Sequence, residues 1–281
     1  AERWPSRNIQ MSCRSHGSWQ PCLHFDEATA EESLLEALHE ALNGGERRPE
    51  LNELGDDLTI EPESFRKFAM ATELRATSRD RGTVDFLAAF GSDAKVGNND
   101  KIEDTAFRTM AGAGHQHFLA FMRNIIAATT TERLRKTLFE TWRYDDPVEK
   151  LTLRWDPLDD VRYALRSRNP SGDPARKQGG SMLGANRLAI EALPLFPTVP
   201  SASRLLTTGF RGSRASDTYW TWPIWEPAIP LDTVRSLLAL AELQQEAPDG
   251  GVLKHRGVVA AFRSQRLTIG KVRNFSPALA V

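Results

Sequence analysis

Cysteine is nearly absent from this 281-residue chain, and its scarcity narrows the possible chemistry. Two cysteines, Cys13 and Cys22, are too few to staple a chain of this length, which must hold together mainly by burial. They flank a turn signal at His16-Gly17-Ser18, so they could face each other across a hairpin; the plainer reading is two buried or half-buried thiols. Zinc would need more ligands at the usual spacing; His16 and His24 are nearby, but there is no C-x2-C pair. Long hydrophobic runs are missing as well. The densest, Val258 to Phe262, is the size of a strand, whereas a membrane-spanning helix takes about 20 apolar residues. The P-loop lysine, H-E-x-x-H, G-x-S-x-G and a strand-borne G-x-G-x-x-G are all lacking, which weakens the nucleotidase, metalloprotease and hydrolase readings. There is no internal repeat and no low-complexity tract. The chain opens Ala-Glu-Arg-Trp, with neither an initiator methionine nor a signal-peptide pattern. Further residues are therefore expected before Ala1, and the protein is expected in the cytoplasm.

What is present is ordinary in amount and uneven in place. With 40% hydrophobic and 26% charged residues, the chain can build a substantial core. Its net charge of −1 hides an asymmetry. Residues 1–142 carry 17 Lys and Arg against 23 Asp and Glu, whereas residues 143–281 carry 19 against 14. The last 31 residues contain Lys254, Arg256, Arg263, Arg266, Lys271 and Arg273 and no acidic side chain. Such a distribution suits a basic face for a polyanion, or the docking of two oppositely charged halves. It suggests an acidic region over 1–104, incomplete at its N-terminus, and a basic, Trp-rich region over 105–281, or one continuous domain.

Periodicity predicts the elements. Ile9–Cys13 and Trp19–Phe25 read as a hairpin, and Leu34, Leu35, Leu38 and Leu42 as a helix stopped by Asn43-Gly44-Gly45. Residues 44–60 and 91–104 read as loops around a helix over Glu61–Thr77. A helix over Gln116–Ala128 precedes another capped by Thr131, and Leu151–Trp155 alternates as a strand ended by Asp156-Pro157. A loop covers 169–181, and a helix covers Ala185–Leu195. Strands follow at Thr207–Phe210 and Tyr219–Ile224, then a helix over Leu231–Glu242. Gly257–Arg263 and Arg266–Ile269 read as a closing hairpin. Without a regular βαβ period, the expected class is α+β, with mixed, mainly antiparallel sheets and a hairpin near each end.

Three groups of residues carry candidate chemistry. His115 and His117 stand at a glycine-flanked helix entry, where they could ligate a metal, act as a base, or frame an anion bound by free N–H groups. Capping or packing is the plainer role. Asp156, Asp159 and Asp160 follow a strand, as metal-holding carboxylates do in nucleases, although Asp-Pro also starts turns and aspartate caps helices. Trp220 and Trp222 share one face of a strand, suited to base stacking or to a core.

Several segments recur together in a known order. Phe86–Asp93, Gly114–Leu119, Leu153–Pro157 and Asp160–Leu165 come first. Gly184–Ala189, Ala192–Pro197, Thr207–Phe210, Thr221–Trp225 and Asn274–Pro277 follow. From about residue 85 onward this set resembles a family of proteins encoded beside type I-G (formerly I-U) CRISPR systems. Members begin with an apolar Asn-Pro-Leu-type segment similar to the start of the large subunits of CRISPR surveillance complexes, and this chain lacks it. The resemblance implies a role in prokaryotic antiviral defence, as a noncatalytic effector or accessory subunit without cofactor that contacts crRNA, target DNA or other Cas proteins. It makes Arg154, Arg162 and Arg187, together with the six basic residues of the C-terminal stretch, candidates for phosphate contact. Two other readings stand beside it: a metal-dependent nuclease or phosphoesterase using His115, His117, Asp156, Asp159 and Asp160, and a noncatalytic protein–protein scaffold.

Overall fold

The computed structural model describes residues 8–43, 48–77, 81–97, 99–110, 117–148, 150–155, 180–212, 217–269 and 272–281. They form two compact units, each assembled from distant segments: 1–45, 208–265 and 277–281 in the first, 46–207 and 266–276 in the second. Charge balance suggests a division near residue 104; compactness groups the chain differently.

The first unit opens with β1 (Gln10–Ser15), β2 (Trp19–His24) and α1 (Glu31–Asn43). The second unit then runs through α2 (Pro49–Asn52), α3 (Pro62–Glu73), α4 (Gly82–Phe90), β3 (Gly91–Val96), β4 (Ile102–Asp104), α5 (Phe118–Ala128) and α6 (Thr131–Phe139). It continues with α7 (Leu183–Ala192), a 3-10 turn at Leu193–Leu195, β5 (Thr198–Pro200) and β6 (Leu205–Thr207). The chain returns to the first unit with β7 (Phe210–Arg211), β8 (Tyr219–Ile224), β9 (Ile229–Pro230) and α8 (Leu231–Leu238). A 3-10 turn at Ala241–Gln244, α9 (Gly250–His255) and β10 (Ala260–Ile269) follow. From Arg266 onward β10 belongs to the second unit, where β11 (Val272–Phe275) pairs with it; β12 (Leu279–Ala280) lies in the first. The described sheets are antiparallel and mixed with packed helices, an α+β fold with strand pairs near both ends.

In the first unit, β1 pairs with β2 on one side and β9 on the other. The register sets Cys13 opposite Pro21 and Cys22 opposite Ser12. Directly opposed residues share a face and neighbours along a strand do not, so the two cysteines point to opposite sides and cannot bridge. This corrects the expectation that they could face each other. Both thiols are free, and burial pushes that of Cys13 up. A second sheet runs β7-β8-β10-β12. Buried Trp225 joins the two sheets: its indole N–H donates to the Met11 carbonyl at 2.9 Å, and its own carbonyl accepts from Cys13 N–H at 2.9 Å.

The core of the second unit is helical. α4 buries Phe86, Leu87, Ala89 and Phe90, and α5 buries Phe118, Leu119, Phe121, Met122 and Ile125. Several sequence expectations change here. Residues 91–104 are not a loop: β3 and β4 form a bulged hairpin. The stretch 44–60 contains α2. Leu151–Trp155 joins no sheet, because Arg154 takes a left-handed backbone (φ 57°) that breaks the alternation, and its N–H turns to the Thr152 hydroxyl at 3.1 Å. The cap of α6 is Thr130, whose hydroxyl accepts Arg133 N–H, rather than Thr131. At the C-terminus, Gly257–Arg263 and Arg266–Ile269 do not pair with each other. One strand runs through Ala260–Ile269 and its hairpin partner is β11. Most of the expected loop at 169–181 lies outside the described residues.

α6 and α7 approach closely at Gly184, where an added Cβ would lie 2.4 Å from Thr137 Oγ1 and 2.5 Å from the Arg133 carbonyl. Gly184→Ala should therefore destabilise the fold by about 1–3 kcal/mol, as overpacking does. The check is the urea midpoint; an unchanged value would contradict this contact.

Candidate nucleic-acid interface

The glycine-flanked helix entry shows first what is not open to a ligand. His117 precedes α5, but its side chain makes no capping hydrogen bond. The exposed N–H groups of the first turn are taken by the acidic loop before α3. The Asp57 carboxylate accepts from Phe118 N–H at 3.4 Å, and the Asp56 carbonyl accepts from Leu119 and Ala120 N–H, each at 3.0 Å. The chain's own carboxylate fills the position an external anion would take. Asp57 is held there by Arg108, whose Nη2 donates to Asp57 at 2.7 Å and to Thr59 at 2.8 Å. Arg108 also pairs with Asp104 and donates through Nε to the Met110 carbonyl at 2.8 Å. Burial pulls the Arg108 pKa down, but Asp104 and Asp57 outweigh it and leave the value raised. His115, Asp156, Asp159 and Asp160 lie outside the described residues. Among the described residues no three metal-ligating side chains gather.

Three of the candidate arginines prove to be internal. Arg154, Arg187 and Arg263 are 5%, 0% and 8% exposed. Arg187 pairs with Glu191, which pairs in turn with Arg48 at 2.5 Å, and Arg48 with buried Glu50 at 2.8 Å. The Arg48 guanidinium also lies 4.5 Å from the Phe86 ring centroid. Arg263 caps the end of the 3-10 turn at Ala241–Gln244 and the residues after it. It donates to the carbonyls of Leu243 (3.0 Å), Gln245 (2.6 Å) and Glu246 (2.8 Å), and to the Thr221 hydroxyl (2.9 Å). Burial, then Arg211, lowers its pKa. These side chains do not belong to an open basic face. Lys254 and Arg256 are exposed, although Arg256 reaches Glu242 at 3.4 Å. Arg162 and Lys271 lie outside the described residues.

Trp220 and Trp222 do share a face, and the register extends it. Phe210 lies opposite Trp220 and Phe262 opposite Trp222, which builds an array of four rings. Successive centroids are 6.4, 4.4 and 6.2 Å apart. Each ring is half-buried, and Phe210 and Trp220 make further contacts, so the array is at least partly packing. Trp225 is core.

The C-terminal hairpin differs. Register places Arg266 opposite Phe275 and Thr268 opposite Arg273, so both arginines lie on one face. Arg266 donates to the Arg108 carbonyl at 2.9 Å, yet its Nε is enclosed without an acceptor. Among the described residues no carboxylate lies within ion-pair distance of Arg266 or Arg273. Burial, followed by the like charge of Arg273, pushes the Arg266 pKa down to about 9, with Asp104 opposing only in part. Sequence composition places positive charge here, but only the fold shows which of these cations lacks a counter-charge.

Compared with models of known protein families and with curated protein sequences, the chain matches none.

Two expectations follow. Asp57→Ala strips Arg108 of one counter-charge and uncaps α5, and should cost about 3–5 kcal/mol in denaturant unfolding. For Arg266 the sign runs the other way. The folded state holds this proton less tightly than the unfolded chain, so the penalty is full below about pH 9 and is relieved as pH rises above it. Arg266→Met should therefore be more stable than the parent at pH 7, by a margin that narrows above pH 9 when the two are unfolded in parallel.

Proposed function

We propose that this chain is a type I-G CRISPR-associated effector or accessory subunit. It acts in the cytoplasm by binding crRNA or target DNA together with other Cas proteins, without a catalytic step. The observation that carries the binding reading is that Arg266 and Arg273 share one face of the hairpin with no described carboxylate paired to either, within a C-terminal stretch that contains no acidic residue. Nucleic-acid phosphates supply the missing charge, and release of their condensed counterions drives association. The ordered segments from Phe86 to Pro277 supply the CRISPR assignment. Supporting a binder over a metal nuclease, the carboxylate at the α5 entry, Asp57, is already committed to Arg108 and to Phe118 N–H. No described helix is long and apolar enough to cross a membrane.

The test is co-expression with the neighbouring Cas proteins and crRNA, followed by capture at rising salt. The parent chain should retain nucleic acid. Charge reversal by Lys254→Glu, Arg256→Glu and Arg273→Glu together should weaken retention and flatten its salt dependence by about 0.7–0.9 log units per lost phosphate contact. A parent chain that retains neither nucleic acid nor a Cas protein at low salt would sink the proposal.

A further inference from the structure

We propose that Arg266 and Arg273, with Thr268 beside them on the same face of the C-terminal hairpin, form a phosphate subsite for a single nucleic-acid strand. This rests on the nucleic-acid reading and specifies which group does the recognising.

Arg266 stands in contrast to the other arginines packed into the fold. Arg108 has two carboxylates, a hydroxyl and a carbonyl; Arg48 lies between Glu50 and Glu191; Arg263 has three carbonyls and a hydroxyl. Enclosing a cation without such partners is costly, so folded chains supply them. Arg266 has one carbonyl acceptor, an enclosed and unfilled Nε, and a second cation as its neighbour. Arg48 also has an enclosed and unfilled Nη2, but it lies between two carboxylates; among the described residues Arg266 has neither a carboxylate nor a second acceptor. A phosphate group brings negative charge and acceptors, and guanidinium matches it as a forked donor.

Geometry is consistent with one anion shared by the two arginines. Arg266 is diagonal to Arg273 across the hairpin, a separation of about 7–8 Å between backbones that two long side chains readily close. Thr268 lies directly opposite Arg273 and contributes a hydroxyl donor. Arg266 and Arg273 both keep part of their surface open, so a strand can approach from the solvent side. A backbone phosphate fits this arrangement better than a base does, because the open groups of the face are cations and a hydroxyl, whereas its one ring, Phe275 opposite Arg266, is buried against Phe107.

The experiment measures binding of the full chain to a fluorescently labelled single-stranded RNA and its DNA counterpart, by anisotropy across a salt series. Arg266→Met should weaken binding at least tenfold and lower the salt slope by about one contact, while the thermal midpoint at pH 7 holds or rises. Arg273→Gln, which leaves the Arg108 carbonyl contact intact, should weaken binding in the same direction. Inorganic phosphate should raise the midpoint of the parent more than that of Arg266→Met. If Arg266→Met fails to fold, Arg273→Gln and the phosphate effect on the parent decide, and absence of both overturns the subsite. Undiminished affinity in a folded Arg266→Met also overturns it. If Lys254→Glu with Arg256→Glu abolishes binding while neither hairpin variant does, the subsite falls and the nucleic-acid reading stands. If the parent binds neither strand, that broader reading falls with it.

Discussion

The buried pairing of Arg108 with Asp57 and Asp104 is the constraint around which the second unit is arranged. One side chain ties the loop before α3 to the end of β4, and by holding Asp57 it also closes the start of α5. The backbone around it is equally committed. The Arg108 carbonyl accepts from Arg266, and the Phe107 carbonyl accepts from the Trp155 indole at 2.8 Å. Phe107 itself packs against Trp155, Phe196 and Phe275 with centroids 6.0, 5.0 and 6.3 Å away. Polar and apolar cohesion thus meet within residues 105–110. A charge enclosed there is tolerable only because its counter-charges are enclosed with it.

That condition separates the arginines of this protein into two kinds. Arg48, Arg108, Arg187 and Arg263 are used to finish the fold, by neutralising buried carboxylates or by collecting carbonyls that would otherwise lack donors. Arg266 is half-buried against the same core, with its Nε enclosed, but is not compensated by it. In the proposed subsite stability and binding would therefore pull in opposite directions at this position, a trade common where a site must stay ready for a ligand.

Much of the fold was legible because it depends on local pattern. The β1–β2 hairpin follows from alternating residues around Gly17, and α1 from leucines at three- and four-residue spacing. The failures share a cause. Gly91–Asp104 is too polar and too rich in turn residues to read as strands. It pairs because Ile102 N–H reaches the Ile60 carbonyl at 3.0 Å and the Glu103 carboxylate accepts Leu205 N–H at 2.6 Å, both distant in sequence. Leu151–Trp155 has the alternation of a strand, but the left-handed backbone of Arg154 breaks it, and among the described residues it joins no sheet. The cysteines are a buried and a half-buried thiol, as the plainer reading expects, and only the register, shifted by one residue, shows that they lie on opposite sides.

By itself the sequence determined the α+β class, most helix positions, the acidic and basic halves and the concentration of positive charge near the C-terminus, since composition and short-range periodicity are local properties. Tertiary structure alone decided which charges are used up. It buried Arg187 and Arg263, turned the inviting entry of α5 into a site filled by Asp57, and left Arg266 without a counter-ion. Whether a charge is free depends on partners tens to hundreds of residues away, and no local pattern encodes that distance.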